Sequence, residues 1–327
     1  MKFVQIQYLP FEWATYLSGF ACLEPRPAGI YDPDQLYPRG DIMNTTELID
    51  MLNRDLRDEH AAVLRYLIHS YMEGEDTPIG AKLLTRSREE MWHMHWLGSV
   101  IGSLGGEPDL TPAEYPYDPS SRESIIHSYV DYEKKLVPHY YAEAEKVTDA
   151  HIKRVLEREA WESEFHAQAF QRLLGKLDPD VAGSLPQAEA EMPRDFLNTL
   201  QGEVAAKYTE MLEHIRHSWV LQNGGTLGWQ LMDQAMEKMR HLAHFAEDVA
   251  ENGQTPDFSA GEYSQSKDPA TALGTSLKRL QEGGQRHKRL KEHEETGKHA
   301  GLVLNLDLTV KQEQYQEGEI ADWLGKL

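Results

Sequence analysis

Two long stretches of this chain repeat one another at an almost constant spacing, and that repeat limits the fold more than any single motif. The loop Gly253-Gln254-Thr255-Pro256-Asp257-Phe258 mirrors Gly105-Gly106-Glu107-Pro108-Asp109-Leu110. Counting back from those prolines sets His241 against His93, and His217-Ser218-Trp219 against His69-Ser70-Tyr71, at an offset of 148. Glu282 falls against Glu133 at 149, and Trp323-Leu324-Gly325-Lys326-Leu327 against Leu173-Leu174-Gly175-Lys176-Leu177 at 150. One such agreement arises easily by chance. Four in the same order indicate an internal duplication, so the fold must be one that half of the chain adopts twice.

Within each copy the apolar residues recur at helical spacing. Leu48, Met51, Leu52, Leu56, Ala62, Val63, Tyr66 and Leu67 make one such stripe. Asn44 with Glu47 three residues on forms a capping signal, and Pro78 suits a first helical position. Helices are expected near 46–72, 78–104, 122–147 and 149–174, then near 194–222, 225–252, 269–297 and 299–326. A kink is expected at Pro138. Helix formers abound and β-branched runs are nearly absent. The fold class predicted is all-α: two tandem four-helix bundles over 45–177 and 193–327, joined by a linker at 178–192. Residues 1–44, rich in aromatics and proline, read as an ordered N-terminal extension, since disordered tails are poor in aromatics.

The formal net charge of −21 argues against nucleic acid, whose phosphates need a basic surface. The single cysteine, Cys22, excludes an intrachain disulfide. No run is long enough to cross a bilayer, and Pro10 and Glu12 break up any apolar signal segment, so a cytoplasmic protein with no membrane partner is expected.

The chemistry is concentrated in the first copy. Glu90 and His93 stand three residues apart, which puts a carboxylate and an imidazole on one helix face. Alone, that pair is an ordinary surface feature. Here Glu59 lies on the preceding helix, Glu133 on the next, and Glu162 and His166 on the fourth. Ionised groups on inward faces are costly unless paired or bound to metal. Four carboxylates balance two divalent cations, and two imidazoles complete the ligand set of a dimetal centre inside a bundle.

This pattern resembles the ferritin-like superfamily, in particular its bacterioferritin and rubrerythrin branch. The resemblance is most specific at Glu59-His60-Ala61-Ala62-Val63-Leu64-Arg65-Tyr66 and at Glu90-Met91-Trp92-His93 with its Gly-Gly-x-Pro loop. It implies a non-haem dimetal oxidoreductase using dioxygen or peroxide, with two iron or manganese ions held by Glu59, Glu90, His93, Glu133, Glu162 and His166. Glu59, Glu90, Glu133 and Tyr66 are then the catalytic group. The resemblance also implies a homo-oligomer, dimer or higher, acting on a small-molecule substrate or with a reductase. Met91 stands where the bacterioferritin branch has a haem-ligating methionine, but methionine packs well there without haem, and no haem is expected. On the fourth helix the pattern departs: Ser163 occupies the place three before His166, Glu162 lies four before it and Glu159 seven before it. A local π-bulge would bring Glu162 into register, with Glu159 as the substitute. The alternatives are a ferroxidase with iron storage, which implies a hollow oligomer, and a non-catalytic ferritin-like scaffold.

Carried across the repeat, the ligand set breaks. Glu59 becomes Lys207, Glu90 becomes Lys238, Ser163 becomes Glu313 and His166 becomes Gln316, while His93 and Glu133 survive as His241 and Glu282. Two ammonium groups facing two carboxylates make a neutral buried cluster without metal, so the second copy is expected to be degenerate and structural. A competing register would use Glu203, Glu210 and Glu237 instead.

Overall fold

The structure is a computed structural model that describes residues 43–186, 188–222 and 226–327. Most of the predicted extension at 1–44 lies outside the described residues. Eight long helices are described: α1 (Thr45–Glu73), α2 (Pro78–Ser103), α3 (Arg122–Ala144), α4 (Ala150–Leu174), α5 (Arg194–Val220), α6 (Leu227–Glu251), α7 (Pro269–Lys291) and α8 (Ala300–Leu324). No strand occurs among the described residues, and the fold is all-α, two four-helix bundles in tandem.

Local chemistry fixes the helix starts. Asn44 and Glu47 close a reciprocal capping box on α1, with bonds of 3.1 and 3.0 Å. Thr77, Ser121, Asp149 and Asp268 cap α2, α3, α4 and α7 through their side chains. Helix α3 continues through Pro138 to Ala144, and α4 is regular α-helix throughout, without the π-bulge that the spacing of Glu162 suggested. Helix α7 stops at Lys291 instead of reaching 297, and a short 3₁₀ turn follows at Thr296–Lys298, where the Thr296 hydroxyl donates to the Leu290 carbonyl.

The helices pack in pairs, α1 with α2, α3 with α4, α5 with α6 and α7 with α8. The halves meet through α2 against α5 and α1 against α6. One apolar core runs through both, from Leu52, Leu97 and Phe170 to Phe196, Tyr208 and Phe245. A smaller one, including Leu231, Leu273 and Ile320, belongs to the second half alone. His60 and Tyr208, partners under the repeat, bond to each other at 2.7 Å, as expected where two equivalent helices cross a pseudo-two-fold axis. Trp219 lies flat against Gly98, where a Cβ would fall 2.3 Å from its ring, and its indole N–H donates to His95 Nδ1 at 3.1 Å.

Burial refines the repeat. The buried positions of α5 and α6 follow those of α1 and α2 at 148, and those of α8 follow α4 at 150. The buried positions of α7 follow those of α3 at 147, Ile126 with Leu273, Tyr129 with Ser276 and Tyr140 with His287. Glu133 therefore corresponds to Leu280, not Glu282. Glu282 is a solvent-facing residue whose side chain is 56% exposed and pairs with Lys278. The cause is in the loops: the connection before α7 is one residue shorter than that before α3, and the one after it is three residues longer.

Candidate metal centre

All four helices of the first bundle contribute, and five of the six ligand candidates converge. Glu59, Glu90, His93, Glu133 and His166 are each no more than 1% exposed. Their donor atoms form two groups, Glu59 with Glu90 and His93, and Glu90 with Glu133 and His166, each within 4.8 Å. Glu90 belongs to both. Its Oε2 lies 2.8 Å from His93 Nδ1, and its Oε1 lies 2.7 Å from His166 Nδ1. Glu59 Oε2 is 3.2 Å from His93 Nδ1, and Glu133 Oε1 is 3.6 Å from His166 Nδ1. The two imidazoles lie nearly parallel, with ring centres 5.8 Å apart.

Both imidazoles present Nδ1 inward because an acid holds the other nitrogen. His93 Nε2 donates to Glu162 Oε2 at 2.9 Å, and His166 Nε2 donates to Glu89 Oε2 at 2.8 Å. Glu162 thus sits at the outer side of His93, where Arg158 also donates to it at 2.7 Å. Burial works against its charge, but the bonds from His93 and Arg158 prevail and hold its carboxyl down at about 2. Such outer carboxylates fix the tautomer and the ring orientation of an imidazole ligand. Glu89 plays the same part for the other ring and was not singled out from the sequence. The signal was present: an acid stands four residues before each of His93 and His166.

Glu159 is the acid that α4 turns inward. It is fully buried, and neither carboxylate oxygen has a hydrogen-bond partner; Ser163 Oγ and Glu133 Oε2 are equally unpartnered. Burial pushes the Glu159 carboxyl well up, against the pull of His93 and with the push of Glu59 and Asp55. Burial likewise raises Glu59 to about 7, although His93 draws it down. Burial opposes the charge on His93 and His166, but facing carboxylates overcome it and both rings are raised well above the usual imidazole range. Two tyrosines brace the acids. Tyr66 donates to Glu133 Oε1 at 2.6 Å and touches the Tyr115 hydroxyl at 2.9 Å, while Tyr140, missed in the sequence, donates to Glu59.

The donor set fits two divalent cations. Glu59, Glu90 and Glu133 lie in the two groups and the buried Glu159 adds a fourth acid outside them, so four negative charges are at hand, and the unpartnered oxygens of Glu133 and Glu159 are ones that a cation would satisfy. Residues 49–179 match the family model described as Ferritin-like domain. This segment is a ferritin-like domain. No curated protein and no solved structure matches the chain. The ferritin-like domain contains all three groups among the described residues whose acids and histidines are close enough to share a metal ion.

Beyond the ferritin-like domain, the second half carries lysine where the first carries Glu59 and Glu90. Lys207 and Lys238 are fully buried. Lys207 Nζ bonds Glu210 at 2.7 Å and also pairs with Glu313; Lys238 Nζ lies 3.6 Å from Glu210 and donates to Gln316 at 3.0 Å. The outer bonds persist in altered form. His241 Nε2 donates to Gln312 as His93 does to Glu162, and Gln316 donates to Glu237 where His166 meets Glu89. Two ammonium groups thus stand where the first half has the carboxylates of Glu59 and Glu90. Of the acids in the competing register, Glu203 and Glu210 are held by Arg286, at 3.1 and 3.4 Å.

Proposed function

We propose that the ferritin-like domain holds a pair of iron or manganese ions and works as a non-haem oxidoreductase with dioxygen or peroxide, while the half at 193–327 is a metal-free copy with a structural role. The observation that carries this reading is Glu90. One buried carboxylate directs its two oxygens at two imidazoles whose far nitrogens are both tied to acids. A lone buried pair would need no second histidine and no outer acids.

In this reading Glu59, Glu90 and His93 hold one ion, Glu90, Glu133 and His166 hold the other, and Glu159 completes the set. Glu162 and Glu89 act through the histidines. When bound, the metal pair would supply the redox equivalents and Lewis acidity that carboxylate and imidazole lack. The chain supplies the rest. Tyr66 keeps a proton at Glu133 Oε1 and Tyr140 keeps one at Glu59, so two ligands meet a hydroxyl rather than bulk water. Tyr129 and Phe170 pack on Tyr66 with ring centres 4.9 and 5.1 Å away, which excludes solvent on that side. Membership of an oligomer belongs to the same proposal; among the described residues no helix is long and apolar enough to cross a membrane.

Metal analysis tests this. Full-length protein loaded anaerobically with Fe(II) or Mn(II) should retain two ions in the buried pair, and air should change its absorbance. Glu90→Ala should lose both, and Glu133→Ala or Glu59→Ala one each. A Glu90→Ala protein that keeps its buried pair refutes the proposal. A mineral core in a large hollow particle would instead support iron storage.

A further inference from the structure

A second cluster stands outside the dimetal set. Asp55 lies one turn before Glu59 on α1, and His139 and Glu143 face it from α3. Their donor atoms lie within 4.8 Å of one another. His139 Nε2 is 3.0 Å from Asp55 Oδ1 and 3.6 Å from Glu143 Oε2. The side chains of Asp55 and Glu143 are 0% and 4% exposed, whereas that of His139 is 41% exposed, so the cluster opens to solvent on one side.

Asp55 Oδ2 and Glu143 Oε2 are shut away and receive no donor from the described residues, so the two carboxyls can relieve their repulsion only by sharing a proton with each other or by taking a cation. Among the described residues, the arginine that pairs with Glu143 is Arg54, which reaches its other oxygen at 3.8 Å from a side chain that is 62% exposed, a contact of little worth. Burial raises Asp55 to about 7 and Glu143 to about 8, as expected for two acids set side by side without a fixed cation. The second half shows what removes the need for one. There Asp55 is matched by Glu203, His139 by Arg286 and Glu143 by Leu290. Arg286 pairs with Glu203 at 3.1 Å, so the copy with a built-in guanidinium keeps one acid and lacks the other.

We propose that Asp55, His139 and Glu143 form a third cation site, taking a divalent transition-metal ion from solvent and standing as a staging position for the buried pair. Two carboxylate oxygens and one imidazole nitrogen suit Mn(II), Fe(II), Co(II) or Zn(II), and two negative charges balance one such ion. Asp55 stands one helical turn before Glu59 on the same buried face of α1, which sets the two places side by side.

The test is equilibrium dialysis of full-length, metal-stripped protein against Mn(II), with bound metal counted. Wild type should hold three ions. His139→Ala and Glu143→Gln should each hold two and weaken the third by about tenfold or more. Glu90→Gln, which cuts the buried pair, should still hold one ion, lost on adding His139→Ala. If the buried pair takes no metal at all, wild type should hold one and His139→Ala none, which separates this site from the dimetal reading. Retention of the same metal count in His139→Ala overturns the site. The half-exposed position of His139 lets that variant fold, and circular dichroism checks it. Rapid mixing with Fe(II) should fill the buried pair several-fold more slowly in His139→Ala; an unchanged rate overturns the staging role.

Discussion

Replacing Lys207 with Met tests the reading of the second half most directly. The ammonium is fully buried, 2.7 Å from Glu210 and paired with Glu313. Breaking a buried ion pair by deleting one partner costs about 3–5 kcal/mol, because the other charge stays buried. Here the stranded acids keep some support. Glu210 retains Lys238 at 3.6 Å and Arg286 at 3.4 Å, and Glu313 retains His287 at 2.8 Å. The expected loss is therefore at the lower end, about 3 kcal/mol, which lowers the melting temperature by roughly 4 °C in a chain of this size. Urea unfolding of both proteins at pH 7 measures it. Adding Glu313→Gln to Lys207→Met should return most of the loss, since the stranded charge goes with it. The pH dependence has a definite sign. Burial opposes the charge on Glu210, but Lys207 and Lys238 hold its carboxyl down, from 4.5 to about 2, and Glu313 is lowered as well. Acids depressed in the folded state stabilise it above their unfolded value and lose that contribution as pH falls through the folded one. The gap between wild type and variant should thus be full at pH 7 and close between about pH 4.5 and 2. A loss under about 1 kcal/mol at pH 7, or a gap that widens in acid, refutes the account of the lysines as built-in cations.

Other outcomes follow from the same geometry. Glu162→Gln should weaken metal binding about 10–100-fold without changing the number of ions, because it loosens His93 rather than removing a donor; competition with a chelator measures this. Metal loading should release protons, since His93 and His166 are both raised and must give up their inward protons. Apparent affinity should therefore rise with pH, and calorimetry in buffers of different ionisation enthalpy counts the protons; a count of zero contradicts the coupling. Tyr66→Phe should destabilise the metal-free protein by about 1.5–3 kcal/mol, the worth of a hydrogen bond to a charged group, while the metal count stays unchanged. Gly98→Ala should cost about 1–3 kcal/mol in urea unfolding, because the new methyl meets the Trp219 ring that joins the halves.

The bundle and the inward acids were legible because helical spacing is a local property. Glu59, Glu90 with His93, Glu133 and His166 meet where four helical stripes must meet. The two acids of α4 were harder to place. At about 100° per residue, a residue four before His166 lies about 40° to one side of it and a residue seven before about 20° to the other. That difference puts Glu162 at the rim, with its side chain 18% exposed, and Glu159 inside. Tyr140 gave no signal, since a tyrosine on an apolar face looks like core until its hydroxyl finds Glu59. The match of Glu133 to Glu282 failed for a different reason. It was read at 149, between anchors at 148 and 150, whereas the shorter loop before α7 drops the offset there to 147, and two residues on a helix turn a side chain by about 200°, from core to solvent.

The bond between His60 and Tyr208 has an implication for inheritance. In a dimer of identical subunits, the residues at one position are always the same on both sides, so any substitution is made twice. Here the two sides of the axis are separate codons. Histidine can face tyrosine, and a lysine at 207 leaves the glutamate at 59 untouched. One gene thus carries a lopsided pair: a pocket with its positive charge permanently attached, beside another lined by acids and imidazoles alone.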